Sequence, residues 1–285
     1  MQDGREITKH QLEERNVNNY GIIRWNLKDQ KIKKLTGISA DKWTDFTNNL
    51  SQINEFDKLI VSPELITCTE IESENVTESK ELIESRIEQT KKFSMNFPET
   101  TIVLGTAIFG EEEKPKNGVL FIKNGEVIGQ TAKRAGVDSW EKRNFVFDPE
   151  EKAVLIPETN LGVLICSDIR ASNISFFNPE ELDENLTLSG FENLVGHKTE
   201  FIHQEAKGMI VPTCWGMTEN EVWKNLPSNT LDMLFQRGLT VEALGMMRHT
   251  PQIEEIAIID RIPDVGEDFK GAVTTKPLNV FFSRK

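Results

Sequence analysis

The chain has few cysteines and no long apolar segment. Only three cysteines occur among its 285 residues, Cys68, Cys166 and Cys214. An odd and sparse set favours free thiols in a reducing compartment over a disulfide framework. The first residues lack the apolar stretch of a secretory signal, and no apolar run approaches the length that crosses a bilayer. We therefore expect a cytoplasmic protein that does not bind membranes.

Positive charge is also scarce. The chain has 33 lysines and arginines against 46 aspartates and glutamates, for a net charge of −13. Nucleic acid and anionic membrane surfaces are therefore not expected as partners. The overall charge does not define the substrate, because a basic pocket can lie within an acidic surface. An apolar content of 38% allows a substantial core, and the length is compatible with a single α/β domain over residues 1–285.

Motifs for metals and cofactors are missing as well. The four histidines lack the spacing that a zinc site would need with the cysteines. No glycine-rich loop of the kind that binds phosphate groups is present. We therefore expect neither a metal ion nor a cofactor.

The most informative stretch spans residues 160–170. Residues 163–165, Val-Leu-Ile, form a short apolar run that is typical of a strand buried on both faces, and Cys166 follows it directly. In α/β folds, ligands bind beyond the carboxyl ends of the strands, so this thiol would face a pocket. A free cysteine is more often inert packing, and a catalytic interpretation needs partners elsewhere in the chain.

Two other predicted strands end in a side chain with useful chemistry. The apolar strand at residues 57–61 is followed by Pro63, which cannot donate to a sheet ladder, and then by Glu64. Residues 118–133 are predicted to form a hairpin around Asn124-Gly125, and its second arm ends at Lys133. A carboxylate, an ammonium and a thiol thus each follow a strand.

The order and spacing of these segments resemble the nitrilase, or carbon–nitrogen hydrolase, superfamily. The matching segments are Ser62-Pro63-Glu64-Leu65, Gln130-Thr131-Ala132-Lys133 and Gly162-Val163-Leu164-Ile165-Cys166-Ser167-Asp168. The resemblance covers residues 57–215 and implies an α/β fold, an α-β-β-α sandwich with mixed β-sheets. It also implies that four layers form when two subunits pair back to back, and hence a homodimer or a higher homo-oligomer.

The residue types and the resemblance together suggest a division of roles. Amide and nitrile carbons are poor electrophiles, and a nucleophile that forms a covalent intermediate splits the reaction into two easier steps. We expect Cys166 to be that nucleophile and Glu64 to be the general base. The Lys133 ammonium would stabilise the oxyanion, with the backbone N–H of Ser167 as a second donor. The expected partner is a small-molecule amide or nitrile.

Two further residues are candidates for binding or orienting the substrate. Glu141 lies in a loop predicted at residues 134–143 and matches the family's second glutamate, which orients the lysine and the substrate. Alternatively, Glu141 is a solvated carboxylate in a charged loop and has no role in the site. Trp215 ends a strand predicted at residues 208–215, where it would line the pocket wall or belong to the core.

Several alternatives stay open at this stage. On the same scaffold the chain could be an amidase, a nitrilase, an N-carbamoyl hydrolase or an amide-forming acyl transferase. A catalytically silent binding or scaffold protein is a further hypothesis. It is motivated by residues 171–205, which depart from the family pattern and are interpreted as an insertion over the site. In that case Glu64 and Lys133 would be a structural ion pair beside a buried thiol.

Hydrophobic periodicity predicts the remaining elements. Residues 1–18 are polar and are expected to fray or lie on the surface. The other predicted strands lie at 20–25, 101–108, 256–259 and 278–282. The predicted helices lie at 41–53, with Asp41 as its N-cap, at 79–93, with Leu82 on its inward face, and at 228–247.

Overall fold

The structure, a computed structural model, describes most of the chain outside three long segments in its second half. The described residues are 7–11, 21–28, 30–71, 73, 75–136, 139–148, 151–152, 154–166, 168–171, 205–214, 243, 246–247, 252–261 and 280–284. Most of the predicted insertion at 171–205 and of the helix predicted at 228–247 lies outside them. Within the described part, no helix combines the length and the apolarity needed to span a bilayer.

Eleven strands and four α-helices are described. The strands are β1 Ile7–Gln11, β2 Ile22–Asn26, β3 Lys34–Ile38, β4 Leu59–Val61, β5 Thr101–Ile108, β6 Lys116–Lys123, β7 Glu126–Ala132, β8 Leu161–Val163, β9 Gly208–Cys214, β10 Glu255–Arg261 and β11 Val280–Arg284. The helices are α1 Trp43–Leu50, α2 Lys80–Ser94, α3 Ser139–Asn144 and α4 Asp168–Ala171.

The strands form two mixed sheets. The first has the order β2-β3-β4-β5-β6-β7, with β3, β4 and β5 parallel and the other pairs antiparallel. The second has the order β1-β11-β10-β9-β8, with β8, β9 and β10 parallel. The carboxyl ends of the parallel strands β4, β8 and β9 therefore lie on one side of the molecule.

The two sheets pack face to face around one apolar core. Alternate residues of a strand point to opposite faces, so Val61 and Val103 face Val163 and Ile210 of the other sheet. The outer face of the first sheet packs against α1, and that of the second against helical residues at 243, 246 and 247. One chain therefore contains all four layers of the predicted α-β-β-α sandwich, and the expectation that two subunits are needed to build them is wrong.

Several local predictions need correction. Residues 7–11 do not fray but form edge strand β1, because β11 offers them a ladder of backbone partners. Helix α1 begins at Trp43 with Lys42 at its N-cap and no side-chain cap, so Asp41 does not fill that role. In α2, Leu82 is 43% exposed rather than inward, because the buried face follows Ile83.

A close backbone approach sets the position of the turn after β4. A Cβ atom on Gly105 would lie 2.1 Å from the Pro63 carbonyl oxygen and 2.9 Å from Glu64 Cα, so only glycine fits at this point of β5. The Gly105 N–H donates to Ser62 Oγ at 2.8 Å, which ties the turn to β5. Glu64 is thereby held at the carboxyl end of the parallel strands.

Candidate active site

Lys133 follows β7 and lies at the centre of a buried polar cluster. Its side chain is 1% exposed, and its Nζ contacts Glu141 Oε1 at 2.5 Å and Glu64 Oε1 at 3.1 Å. The Lys133 backbone N–H donates to the Asn117 carbonyl oxygen at 2.8 Å, which continues the hairpin ladder. The sequence placed Lys133 at the end of a hairpin arm, and the structure adds the two carboxylates that surround its ammonium.

Glu64 is held from both sheets. Its N–H donates to the Thr213 carbonyl oxygen of β9 at 3.2 Å, and Asn117 Nδ2 donates to Glu64 Oε1 at 2.8 Å. Burial raises the pKa of Glu64, the Lys133 ammonium acts against that rise, and the Glu141 carboxylate adds to it. A carboxyl group with a raised pKa is suited to accept and return a proton near neutral pH.

Glu141 lies on helix α3 rather than in the predicted loop. The helix directs the carboxylate inward, where it is buried and contacts the Lys133 ammonium. Burial alone would lower the pKa of Lys133, but the Glu141 and Glu64 carboxylates raise it well above its ordinary value. Lys133 is therefore a permanent cation at neutral pH, which suits an electrostatic role and excludes a role as general base.

Cys166 adopts a left-handed backbone conformation just beyond β8. Its φ is +48°, an unusual value for a residue other than glycine, and such strain often marks a functional position. Its N–H donates to the Pro212 carbonyl oxygen at 2.9 Å, and its own carbonyl oxygen accepts from Ile169 at 3.3 Å. The backbone therefore turns sharply while still hydrogen-bonded to β9, and the thiol is half-buried.

The charged side chains of Glu64, Lys133 and Glu141 all influence the pKa of the Cys166 thiol. Its pKa is raised well above the ordinary value, first by removal from water and then by Glu64, whereas Lys133 opposes the shift and Glu141 adds to it. The backbone N–H of Cys214 hydrogen-bonds to the sulfur and also favours the thiolate. The resting group is thus a protonated thiol within the electrostatic reach of a carboxylate that can take its proton.

Two residues of the cluster escaped the sequence analysis. Asn117 is fully buried and bridges Glu64 and Glu141 through Nδ2, at 2.8 and 3.3 Å. It could have been found by counting register, because the pairing of Gly118 with Ala132 puts residue 117 opposite Lys133.

Asp168 is the second residue that the sequence analysis did not single out as part of the site. It is 2% exposed and accepts from the Arg134 N–H at 3.4 Å, so it links the segment after Lys133 to the turn after Cys166. Burial raises the pKa of Asp168 to about 7, with the Lys133 ammonium opposing. The sequence feature that could have identified Asp168 is its position two residues after Cys166 in the matched segment.

The structure thus brings together four of the six predicted site residues. Glu64, Lys133 and Glu141 are in direct contact, and Cys166 interacts electrostatically with all three. Ser167 and Trp215 lie outside the described residues. Among the residues described, no group of three His, Cys, Asp or Glu side chains is arranged to hold a metal ion.

Comparison with solved structures identifies the architecture. A carbon–nitrogen hydrolase from Helicobacter pylori G27 aligns over 87% of this chain and 86% of its own, with 15% identity and a TM-score of 0.54. A variant of the Nesterenkonia AN1 amidase, from the nitrilase superfamily, aligns over 88% of both chains with 15% identity and a TM-score of 0.51. The chain has the nitrilase fold. No protein-family model and no curated protein matches the sequence.

The likeness to these structures confirms the fold that the three sequence segments predicted. In this version of the fold the described cluster lies where β4, β7 and β8 end, next to β9. At 15% identity the likeness extends to the fold alone.

Proposed function

We propose that this protein is a thiol-dependent hydrolase of non-peptide carbon–nitrogen bonds, acting on small linear amides through a cysteine thioester. The observation that carries the proposal is the contact of the Lys133 ammonium with the Glu64 carboxylate at 3.1 Å, beside the strained and half-buried Cys166. These are a nucleophile, a base and an electrostatic stabiliser, and acyl transfer requires all three.

The solved relatives support the choice of an amide. The Nesterenkonia AN1 protein is an amidase, and another of its variants carries the acetamide moiety of fluoroacetamide covalently added at its active-site cysteine, with 15% identity and a TM-score of 0.50 to this chain. A cysteine of the same fold is thus known to accept a covalent adduct, and we extend that role to Cys166.

The first half of the reaction forms the thioester. Glu64 takes the proton from the Cys166 thiol as the sulfur attacks the substrate carbonyl carbon, and the C=O pair moves to oxygen. The Lys133 ammonium stabilises this oxyanion, and the Ser167 N–H is the proposed second donor. The intermediate then collapses: the protonated Glu64 gives its proton to the departing nitrogen, the C–N bond breaks, and ammonia leaves.

The second half releases the acid. Glu64 is again a carboxylate and takes a proton from a water molecule as the water oxygen attacks the thioester carbon. The C–S bond breaks, the sulfur regains the proton from Glu64, and a carboxylic acid leaves. Because the raised pKa of Cys166 makes a bare thiolate a poor leaving group, the Glu64 proton must reach the sulfur as the C–S bond breaks. The same raised pKa means that proton transfer to Glu64 must accompany the attack.

Ammonia release tests the proposal. The wild-type protein should release ammonia from short aliphatic amides, and Cys166→Ala should not. Cys68→Ala is the matched control, because Cys68 is buried in a separate apolar cluster with Val76 and Ile83 and should leave turnover unchanged. Intact-mass spectrometry should detect an acyl adduct on the wild-type chain only. Turnover that survives Cys166→Ala would overturn the mechanism.

Two comparisons separate the neighbouring activities. Ammonia released from a nitrile but not from the matching amide would make the protein a nitrilase, and consumption of an added amine without acid formation would make it an acyl transferase. No adduct and no turnover with any of these would favour a binding or scaffold protein. The expected cytoplasmic location and homo-oligomer stay predictions, and light scattering tests the latter.

A further inference from the structure

The Asn117 side chain closes a ring of hydrogen bonds around the two carboxylates. Its Nδ2 donates to Glu64 Oε1 at 2.8 Å and to Glu141 Oε1 at 3.3 Å. The Lys133 ammonium contacts the same two oxygen atoms at 3.1 and 2.5 Å. Two donors and two acceptors therefore alternate, and each carboxylate oxygen receives one hydrogen bond from the cation and one from the amide.

This ring fixes which way the Asn117 amide points. Ionised carboxylates only accept hydrogen bonds, so the amide must turn its NH₂ group and not its oxygen toward them. The Asn117 backbone is itself held by the Lys133 N–H at 2.8 Å, and the residue has no exposed surface. The amide has no freedom to turn over.

The fixed orientation turns Oδ1 away from the two carboxylates. It is buried and has no hydrogen-bond partner among the described residues. A buried acceptor of this kind costs about 1–3 kcal/mol when it stays unpaired, which favours a ligand donor there. Because Nδ2 and Oδ1 share one carbon, this acceptor lies next to the carboxylate that we propose as the general base. An N–H group bound there would lie close to Glu64.

The ring also has an electrostatic consequence. Glu64 and Glu141 share a single ammonium, and the Glu141 carboxylate disfavours ionisation of Glu64. The Asn117 hydrogen bond acts against the burial that raises the pKa of Glu64. Without that donor, Glu64 would stay protonated to a higher pH and could not accept the thiol proton.

We propose that Asn117 positions Glu64 and Glu141 through Nδ2 and offers Oδ1 to an N–H group of the substrate. The inference rests on the proposed amide hydrolysis and adds to it a preference for nitrogen leaving groups that carry a hydrogen. Primary amides meet this requirement, and esters with the same acyl group do not.

The pH dependence of turnover tests the positioning role. Asn117→Asp keeps the shape and replaces the donor with a carboxyl group, so the acidic limb of kcat/KM, which reports Glu64, should move to higher pH. At pH 7 we expect a loss of kcat/KM of about 100-fold. Asn117→Ala should move the limb the same way by less, and Asn117→Ser, which restores a short donor, should fall between Asn117→Ala and the wild type. An unmoved limb in Asn117→Asp and Asn117→Ala would overturn this role.

A matched control separates this effect from general damage. Asn49 is also buried, and its Nδ2 donates to the Ser39 carbonyl oxygen at 3.4 Å, away from the cluster. Asn49→Ala should lower the midpoint of thermal unfolding without moving the pH limb. If Asn49→Ala moved the limb as Asn117→Ala does, the positioning role would fall.

The comparison of an amide with its ester tests the role of Oδ1. Asn117→Ala should lower kcat/KM for the amide about tenfold more than for the ester of the same acid, because the ester has no N–H to bind. Equal losses for both would overturn this part. For nitriles, which also lack an N–H in the ground state, the loss should follow that of the ester.

Alkylation keeps the test independent of the proposed reaction. The rate at which iodoacetamide modifies Cys166, measured by mass spectrometry against pH, reports thiolate formation whether or not amides are hydrolysed. Asn117→Asp adds a carboxyl group beside the cluster and should move this profile to higher pH, and Asn49→Ala should not. Failed turnover with a moved alkylation profile would count against the hydrolase but support the ring, whereas an unmoved profile would overturn the ring itself.

Discussion

The Glu64 N–H donates to the Thr213 carbonyl oxygen at 3.2 Å, and this hydrogen bond joins the two sheets beside the candidate site. Glu64 follows β4 of the first sheet, and Thr213 belongs to β9 of the second. The neighbour of Thr213, Cys214, hydrogen-bonds to the Cys166 sulfur. The distance between the proposed base and the proposed nucleophile is therefore set by how the sheets pack.

Replacing Lys133 with methionine should destabilise the protein and abolish amide turnover. The substitution leaves the Glu64 and Glu141 carboxylates buried without their cation, which typically costs about 3–5 kcal/mol of unfolding free energy. Urea unfolding followed by circular dichroism measures the loss. Lys123→Met is the control: its pair with Glu158 is on the surface, and its loss should cost less than about 1 kcal/mol. Equal costs for both would contradict the central role of the buried cluster.

Gly105→Ala should displace the turn that carries Glu64. The new Cβ would lie 2.1 Å from the Pro63 carbonyl oxygen, so the backbone must move. We expect a lower unfolding midpoint and a loss of kcat/KM of at least about 100-fold, since small misplacement of a catalytic group is costly. Gly110→Ala is matched to it, because nothing lies within 4 Å of its added Cβ, and it should behave as wild type. A fully active Gly105→Ala variant would show that this approach does not position Glu64.

The free energy of unfolding should decrease as the pH rises from about 4 to about 7, because of Asp168. The native pKa of Asp168 is raised to about 7 by burial, against an ordinary value of 3.8. In that window the unfolded chain has released the proton and the native state retains it, so each rise in pH favours unfolding. The full penalty, reached above pH 7, is about 4 kcal/mol. Asp168→Asn cannot ionise and should lack this part of the slope, and parallel profiles for both proteins would refute the assignment.

Glu141→Gln should move the acidic limb of kcat/KM to lower pH. The Glu141 carboxylate raises the pKa of Glu64, and a neutral amide at position 141 removes that contribution. The direction is opposite to that expected for Asn117→Asp, so the two variants test one electrostatic account from both sides. Glu158→Gln, which alters only the surface pair with Lys123, should leave the limb in place. A limb that moved upward in Glu141→Gln would reverse the proposed coupling.

Local patterns predicted most of the strands correctly. The hairpin of β6 and β7 turns at Asn124-Gly125 as predicted, because these residues favour the positive φ that the turn requires and that both adopt. The apolar run at residues 163–165 is buried as predicted, and the strand at 208–214 pairs in parallel with β8. The positions of these elements follow from local apolar runs and turn residues, which a single sequence displays.

Strand β3 was missed although its partner β2 is close in the chain, whereas other missed features depend on distant partners. Strand β1 is polar and short, and it forms because β11, at the other end of the chain, supplies its backbone hydrogen bonds. Helix α3 replaces a predicted loop and packs through Trp140 against Phe145, a contact that no apolar period in its six residues indicates. Leu82 was expected on the inward face of α2. That face instead includes Arg86, which is buried and donates to the backbone carbonyls of residues 67 and 69, so Leu82 lies on the outer side.

By itself the sequence determined which chemical groups follow the strands: a carboxylate at 64, an ammonium at 133 and a thiol at 166. Strand periodicity and turn residues are local properties, so their positions could be predicted without coordinates. Only the tertiary structure decided that the carboxylates of Glu64 and Glu141 share the Lys133 ammonium and that Asn117 closes the ring between them. Those contacts join residues far apart along the chain, and their distances and pKa shifts arise from burial, which exists only once the two sheets have packed.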